Sequence, residues 1–278
     1  MNSPGYMNKK DDYLRSDQGA DILRPMIFDS HAHYDSTQFD EDRGQLLAGM
    51  KDSGVGTIIN VGASLEGCES SVKLAGEYDF IYAAVGVHPD DIGDLNEETF
   101  ARLRELAGSK KVVAIGEIGL DYHWDTHPRQ LQKYWFIRQL SLARDMGLPV
   151  IIHSRDAAKD TFDIMAQNAS GLKGVIHCYS YSPQMAMDYV KLGFHIGLGG
   201  VVTFKNAKKS KETAAVIPME NLLLETDCPY MAPVPFRGKR NNSAYIDYVA
   251  AEIAQIRGIT KEEVIRGTAK NAERLFNI

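Results

Sequence analysis

Two histidines one residue apart, His31 and His33, end a short apolar run, and four further residues able to ligate a metal end other such runs: Glu117, His153, His177 and Asp227. Side chains alternate along a strand, so His-x-His turns both imidazoles to one face, where a single cation can take both. The pair alone describes two unconnected surface or core histidines equally well. Its company changes the reading, because imidazoles and carboxylates gathered at one place repel or sit unpaired unless something binds them. A divalent cation satisfies them together, and His, Glu and Asp without Cys suit Zn²⁺, Mn²⁺ or Mg²⁺. Four histidines and two carboxylates exceed one tetrahedral site. They suit two divalent metal ions about 3.5–4 Å apart with one carboxylate shared, a pair that acidifies water and stabilises both the attacking and leaving oxygens of a phosphoryl transfer.

These six residues converge only if the right elements carry them. From Met26 onward short Val/Ile-rich runs alternate with amphipathic stretches. The runs predict eight strands, at Met26–Ser30, Thr57–Val61, Ile81–Val87, Val112–Glu117, Val150–His153, Gly174–Cys178, His195–Gly197 and Leu222–Glu225. Apolar runs without alternation suit a parallel sheet buried on both faces. Between them the patterns predict helices over Arg43–Ser53, Leu65–Glu77, Glu97–Leu106, Pro128–Met146, Ala157–Gln167, Pro183–Leu192, Lys209–Val216, Tyr245–Arg257 and Lys261–Phe276. Thr260 with Glu263 three residues on reads as a capping box. Eight alternations without an internal linker predict a (β/α)8 TIM-type barrel, with an open doubly wound sheet as the competing architecture. In a barrel every strand's C-terminal end meets on one rim, and that rim holds the active site.

The composition agrees with a soluble globular chain of 278 residues, 44% hydrophobic and 24% charged. Residues 26–278 are expected to form one domain. Residues 1–25 are polar and aperiodic, an extension expected to be disordered or carried over from cloning, and they lack the apolar stretch of a secretory signal. No run is long and apolar enough to span a membrane. Three cysteines, Cys68, Cys178 and Cys228, without a CxxC pair, point to a reducing, cytoplasmic setting. A net charge of −6 argues against a surface that coats nucleic acid, though not against local capture of a strand end. A monomer is expected.

Around the six ligands lie residues with two readings each. His88, in a strand-end His-Pro turn, either contacts substrate or caps the turn. Arg155 either grips phosphate through its fork or pairs with Asp156 or Asp160. Arg237 sits in a Pro-rich loop after the last strand and reads as a phosphate contact. Tyr122 and Trp124 either stack a base or pack the loop. His123 on the same loop reads as solvated. Lys205, Lys208, Lys209 and Lys211 are either a solvated helix face or a patch that follows a nucleic-acid backbone. Cys178 and Cys228 each follow a proposed ligand and read as packing residues. If strand geometry continued past His177, Cys178 would point away from the metal.

At these residues the chain resembles the TatD family of metal-dependent deoxyribonucleases, within the amidohydrolase-like barrels. The matching blocks are FDSHAHYD (Phe28–Asp35), VGVHPDD (Val85–Asp91), AIGEIGLDYHWD (Ala114–Asp125), PVIIHSRDA (Pro149–Ala157), GVIHCYS (Gly174–Ser180), FHIGLGGVVTFKNAK (Phe194–Lys208), LLLETDCPYMAPVPFRGKRN (Leu222–Asn241) and TAKNAERLF (Thr268–Phe276). The resemblance implies that His31, His33 and Asp227 hold a first metal, that Glu117 bridges, and that His153 and His177 hold a second. It implies that Asp227 orients the attacking water or takes its proton, and that the substrate is a DNA end trimmed 3′→5′, with RNA accepted by some members. The family commonly reads RGKxNEP where this chain reads Arg237-Gly238-Lys239-Arg240-Asn241-Asn242-Ser243, without the Glu and Pro. Two other functions fit the same rim: an amide or ester hydrolase, such as an aminoacyl-tRNA deacylase, and a barrel that has lost catalysis and binds a partner. Cyclic amidohydrolases usually bridge their metals with a modified Lys on the fourth strand, so Glu117 at that place favours the nuclease.

Overall fold

The computed structural model describes residues 25–124 and 126–278. The expected extension therefore lies outside the described residues, save for its last one. Eight strands follow one another in parallel: β1 (Ile27–Ala32), β2 (Val55–Val61), β3 (Ile81–Val85), β4 (Val112–Asp121), β5 (Val150–Arg155), β6 (Gly174–Ile176), β7 (His195–Leu198) and β8 (Leu222–Leu224). The helices are α1 (Arg43–Ala48), α2 (Leu65–Glu77), α3 (Glu97–Ala107), α4 (Arg129–Met146), α5 (Ala158–Asn168), α6 (Pro183–Lys191), α7 (Lys208–Val216), α8 (Ile246–Arg257) and α9 (Lys261–Phe276). This is the (β/α)8 barrel.

Alternation divides the strand side chains into two apolar sets. Ile58, Val150, Ile152 and Leu224 pack with residues of the outer helices such as Leu47, Leu140 and Val249. Their neighbours Ile59, Val61, Ile151 and Leu223 form a second cluster whose only helical members, Ala269, Ala272, Leu275 and Phe276, come from α9. The last helix thus closes the barrel interior, with Phe276 stacked on Phe28 at 6.0 Å. Its start is the expected capping box: Glu263 N–H donates to Thr260 Oγ1 at 3.2 Å and Thr260 N–H to Glu263 Oε2 at 2.8 Å.

The strand boundaries depart from expectation at the rim. β4 runs four residues past Glu117 because Gly119 lets it approach β5: a Cβ there would lie 1.9 Å from the His153 carbonyl oxygen, and its φ is +150°. β6 and β8 stop short instead, leaving His177 and Asp227 on irregular backbone. α1 ends at Ala48 rather than Ser53, with Gly49 as its C-cap.

The ring has one weak seam. Ladders join every neighbouring pair from β1 through β8. Between β8 and β1 the described residues show a single bridge, Ala32 with Cys228. A buried carboxylate supplies what the ladder lacks. Asp29 accepts from the backbone N–H groups of His31 (3.2 Å) and Thr226 (3.0 Å) and from the hydroxyls of Thr226 (2.7 Å) and Ser243 (2.6 Å). Burial pushes this carboxyl up to about 7, against those four hydrogen bonds. Ser243 is one of the two residues at which the chain departs from the pattern of the family it resembles, and its hydroxyl is part of this clasp. Replacing Asp29 with Ala orphans these buried donors and is expected to lower the unfolding free energy by roughly 3 kcal/mol. Urea denaturation measures it; a change within error of zero would mean that the seam does not need the clasp.

Candidate metal centre

β1 delivers the first pair. His31 is fully buried, and its Nε2 lies 3.0 Å from His33 Nε2. Both imidazoles face one place, as the spacing predicts. The Val61 carbonyl accepts from His33 Nδ1 at 2.8 Å. That bond fixes the tautomer of neutral His33 and leaves its Nε2 lone pair for a ligand. Asp227, with φ +58°, brings Oδ1 to 3.8 Å from His31 Nε2 and 3.4 Å from His33 Nε2. Buried Asn241 supports this turn, donating to the carbonyls of Thr226 (2.9 Å) and Tyr230 (2.8 Å).

Glu117 divides its two oxygens. Oε2 lies 3.4 Å from His31 Nε2 and 3.7 Å from His33 Nε2. Oε1 lies 2.8 Å from both His153 Nδ1 and His177 Nε2. Ligands about 2.0–2.2 Å from a tetrahedral Zn²⁺ stand about 3.3–3.6 Å apart. The contacts among His31, His33, Asp227 and Glu117 Oε2 run from 3.0 to 3.8 Å, so these groups fit a cation. Glu117, His153 and His177 form a second candidate group, the ligand atoms of each lying within 4.8 Å of one another. All six expected ligands therefore come together.

The charges explain why a cation suits this place. Burial pushes Glu117 up, but the charges of His177 and His31 and the hydrogen bonds of His153 and His177 hold it well below the usual carboxylate range. Burial likewise opposes ionisation of Asp227, and the His33 hydrogen bond together with the charges of His177, His31 and His33 outweighs it. His33 is driven down by burial and up by the hydrogen bond and charge of Asp227 and the charge of Glu117, ending at about 9. Protons on His33 and His177 thus stand where a cation would.

Two carboxylates escape the sequence reading. Asp121, at the end of the lengthened β4, has Oδ2 3.0 Å from His153 Nε2. Glu225 is fully buried, with Oε1 3.7 Å from His177 Nδ1 and accepting from Cys178 N–H. Each sits behind a candidate ligand imidazole: Asp121 is within hydrogen-bond reach and orients the His153 ring, while Glu225 acts on His177 through its charge. A carboxylate at a strand end beside a ligand strand was the available signal. Asp121 also belongs to a third group with His88 and His153. There His88 Nδ1 accepts from Asp90 N–H at 3.1 Å, so the neutral ring keeps its proton on Nε2 and points a donor, not a lone pair, toward Glu117 Oε1 at 3.9 Å. Burial, with the charge of His153, lowers His88 to about 3 and keeps it neutral.

The outer residues separate more sharply. Arg155 and Arg237 are exposed and stack on aromatic rings, Arg155 5.4 Å from Trp124 and Arg237 4.4 Å from Phe204. Among the described residues no acid pairs with either: Asp156 faces His123 at 3.1 Å and Asp160 faces Lys133 at 2.7 Å. Of the four lysines after β7, Lys208 pairs with Glu212 and Lys211 with Glu252, which weakens a strand-tracking patch there. Cys178 does not continue a strand. Its φ is +45°, and burial with the nearby charge of Asp227 pushes its thiol up to about 12. Cys228 is a fully buried packing residue, as expected.

Two outcomes test the centre. At pH 7 the metal-free protein holds the proton on His33, so cation binding is expected to release at least about one proton, and affinity to rise with pH toward 9. A Zn²⁺ titration of stripped protein in weak buffer with an indicator dye reads this; no release would place the cation elsewhere. Asp121→Asn is expected to weaken cation affinity roughly 10–100-fold by loosening His153. An unchanged isotherm would remove Asp121 from the site.

The family model described as TatD related DNase matches residues 28–277. A relative from Bacillus subtilis (strain 168), the uncharacterized metal-dependent hydrolase YabD, is 46% identical over 91% of this chain and 100% of its own length. The protein named 3′-5′ ssDNA/RNA exonuclease TatD from Cronobacter sakazakii is 35% identical over 90% of this chain and 97% of its own. The crystal structure of YjjV, a TatD homologue from Escherichia coli K12, superposes with a TM-score of 0.86 at 32% identity, covering 91% of this chain and 98% of that one. With the barrel and its candidate centre described, these matches establish the family: the chain belongs to the TatD-related DNases.

Proposed function

We propose that this protein is a nuclease that hydrolyses phosphodiester bonds at DNA ends, 3′→5′, and accepts RNA, using two divalent cations. The observation that carries the reading is the division of Glu117, one oxygen toward His31, His33 and Asp227 and the other toward His153 and His177. A carboxylate so placed suits the bridge of a two-cation site. Divalent cations there would supply Lewis-acid activation of water and neutralise charge on the transferring phosphoryl group.

The chain's own residues then have distinct tasks. His31, His33 and Asp227 would hold one cation, and His153 and His177 the other. Asp227 takes a proton from the attacking water. His88, kept neutral, donates through Nε2 to a phosphate oxygen. Arg155 and Arg237 hold the backbone phosphates on either side. The relative named as a single-stranded DNA and RNA exonuclease supports this substrate class. Three free cysteines suit action in the cytoplasm. Among the described residues no helix is long and apolar enough to cross a membrane.

The test is metal-loaded protein on single-stranded DNA labelled at each end in turn. Mononucleotides are expected from the 3′ end, with release stopping in chelator. Glu117→Ala is expected to lower the rate by roughly 10²–10³-fold or more. Full activity in that variant would end the bridging role. Inert DNA and RNA together with turnover of an amide or ester panel would put the deacylase in the nuclease's place.

A further inference from the structure

Trp124 is the most exposed large apolar side chain among the described residues, with 63% of its surface open. An indole normally contributes a large buried area to a core, so one left in solvent and held still invites a partner. It is held on two sides. The His123 ring meets it edge-on at 4.9 Å, and His123 is braced by Asp156 at 3.1 Å. The Arg155 guanidinium lies 5.4 Å from its centre.

The mounting leads straight to the candidate centre. Asp121 Oδ1 accepts from the backbone N–H groups of His123 (2.8 Å) and Trp124 (3.2 Å). Its other oxygen faces His153 Nε2 at 3.0 Å. One carboxylate therefore fixes both a ligand imidazole and the loop that carries the indole. Arg155 sits two residues beyond His153 on β5, on the same side and about 6.6 Å further along. Register pairs it with Asp121, so the guanidinium, the indole and the ligand share one corner of the rim. Tyr122, the other aromatic of this loop, is committed elsewhere: its hydroxyl donates to Asp160 at 2.7 Å and Arg129 covers its ring at 4.2 Å.

We propose, resting on the nuclease reading, that Trp124 and Arg155 seat the nucleotide next to the scissile linkage, Trp124 stacking on its base and Arg155 holding its phosphate. The plate accepts a base only when that base is unpaired, which makes it a specificity determinant for single-stranded ends. Every base offers a π-face, so it ranks strands over duplexes without ranking sequences.

The chain has two tryptophans, and the other, Trp135, is buried against Phe100. Quenching of intrinsic fluorescence by a bound strand therefore reports on Trp124, the exposed one. Metal-loaded protein is titrated with oligothymidylate carrying phosphorothioate linkages, with a blunt duplex in parallel, and cleavage of the unmodified strand is followed separately. The expected result is saturable quenching by the single strand alone, lost in Trp124→Ala. That variant is also expected to raise KM on the unmodified strand roughly five- to 150-fold with kcat little changed, and Trp124→Phe to recover most of the loss. Cleavage without quenching, or an unaltered KM in Trp124→Ala, overturns the platform and leaves the nuclease standing. Quenching without cleavage of DNA or RNA does the reverse. Equal quenching by the duplex overturns the single-strand preference.

Discussion

The seam between the last strand and the first is the constraint on which the rest depends. Seven ladders hold the ring, but β8 is only three residues long, and among the described residues one bridge, Ala32 with Cys228 just past its end, joins that side to β1. The candidate ligands fall on both sides of that gap, His31 and His33 on one and Asp227 on the other. Asp29 spans it beneath them, binding the backbone of His31 and Thr226 at once. Above it the Asp227 N–H donates to the His31 carbonyl at 2.9 Å and the His33 N–H to the Cys228 carbonyl at 2.8 Å. The position of Asp227 against the two histidines is thus set by hydrogen bonds that cross the seam. A bound cation would be a further cross-link at the same place.

The same economy of carboxylates recurs around the rim. Burying Glu117 and Asp227 is unfavourable, and the surrounding imidazoles offset it. Asp121 and Glu225 then stand behind His153 and His177, so the candidate ligand rings on β5 and after β6 have an acid at their backs. Left-handed backbone at Cys178 and Asp227 adds local strain where chain direction must turn sharply past a ligand. These features form a rim whose side chains are aimed before any ligand arrives, the kind of preorganisation that catalysis exploits.

Much of this was legible in the sequence for a definite reason. A parallel barrel strand is an unbroken apolar run, so a polar residue at its end stands out; His31, Glu117 and His153 announce themselves in this way. His177 and Asp227 follow short strands, yet the same pattern finds them because the runs before them are equally apolar. Asp121 was harder. Gly116 and Gly119 break the run, so the strand reads as finished at Glu117, and only the close approach of β4 to β5 shows that it continues. Asp29 and Ser243 lie 214 residues apart, and no local pattern links them. The choice between Tyr122 and Trp124 also needed the packing, since composition treats the two aromatics alike.

The seam also fixes an order of events. His31 and His33 enter the chain near its beginning and Asp227 near its end, with almost the whole barrel between them. Contacts of such sequence separation are the slowest for a polymer to close. During synthesis on the ribosome the first strand must therefore wait for the eighth. A nascent chain that has not yet made β8 holds His31 and His33 without Asp227, so the first candidate group stays open until the last strand is laid down.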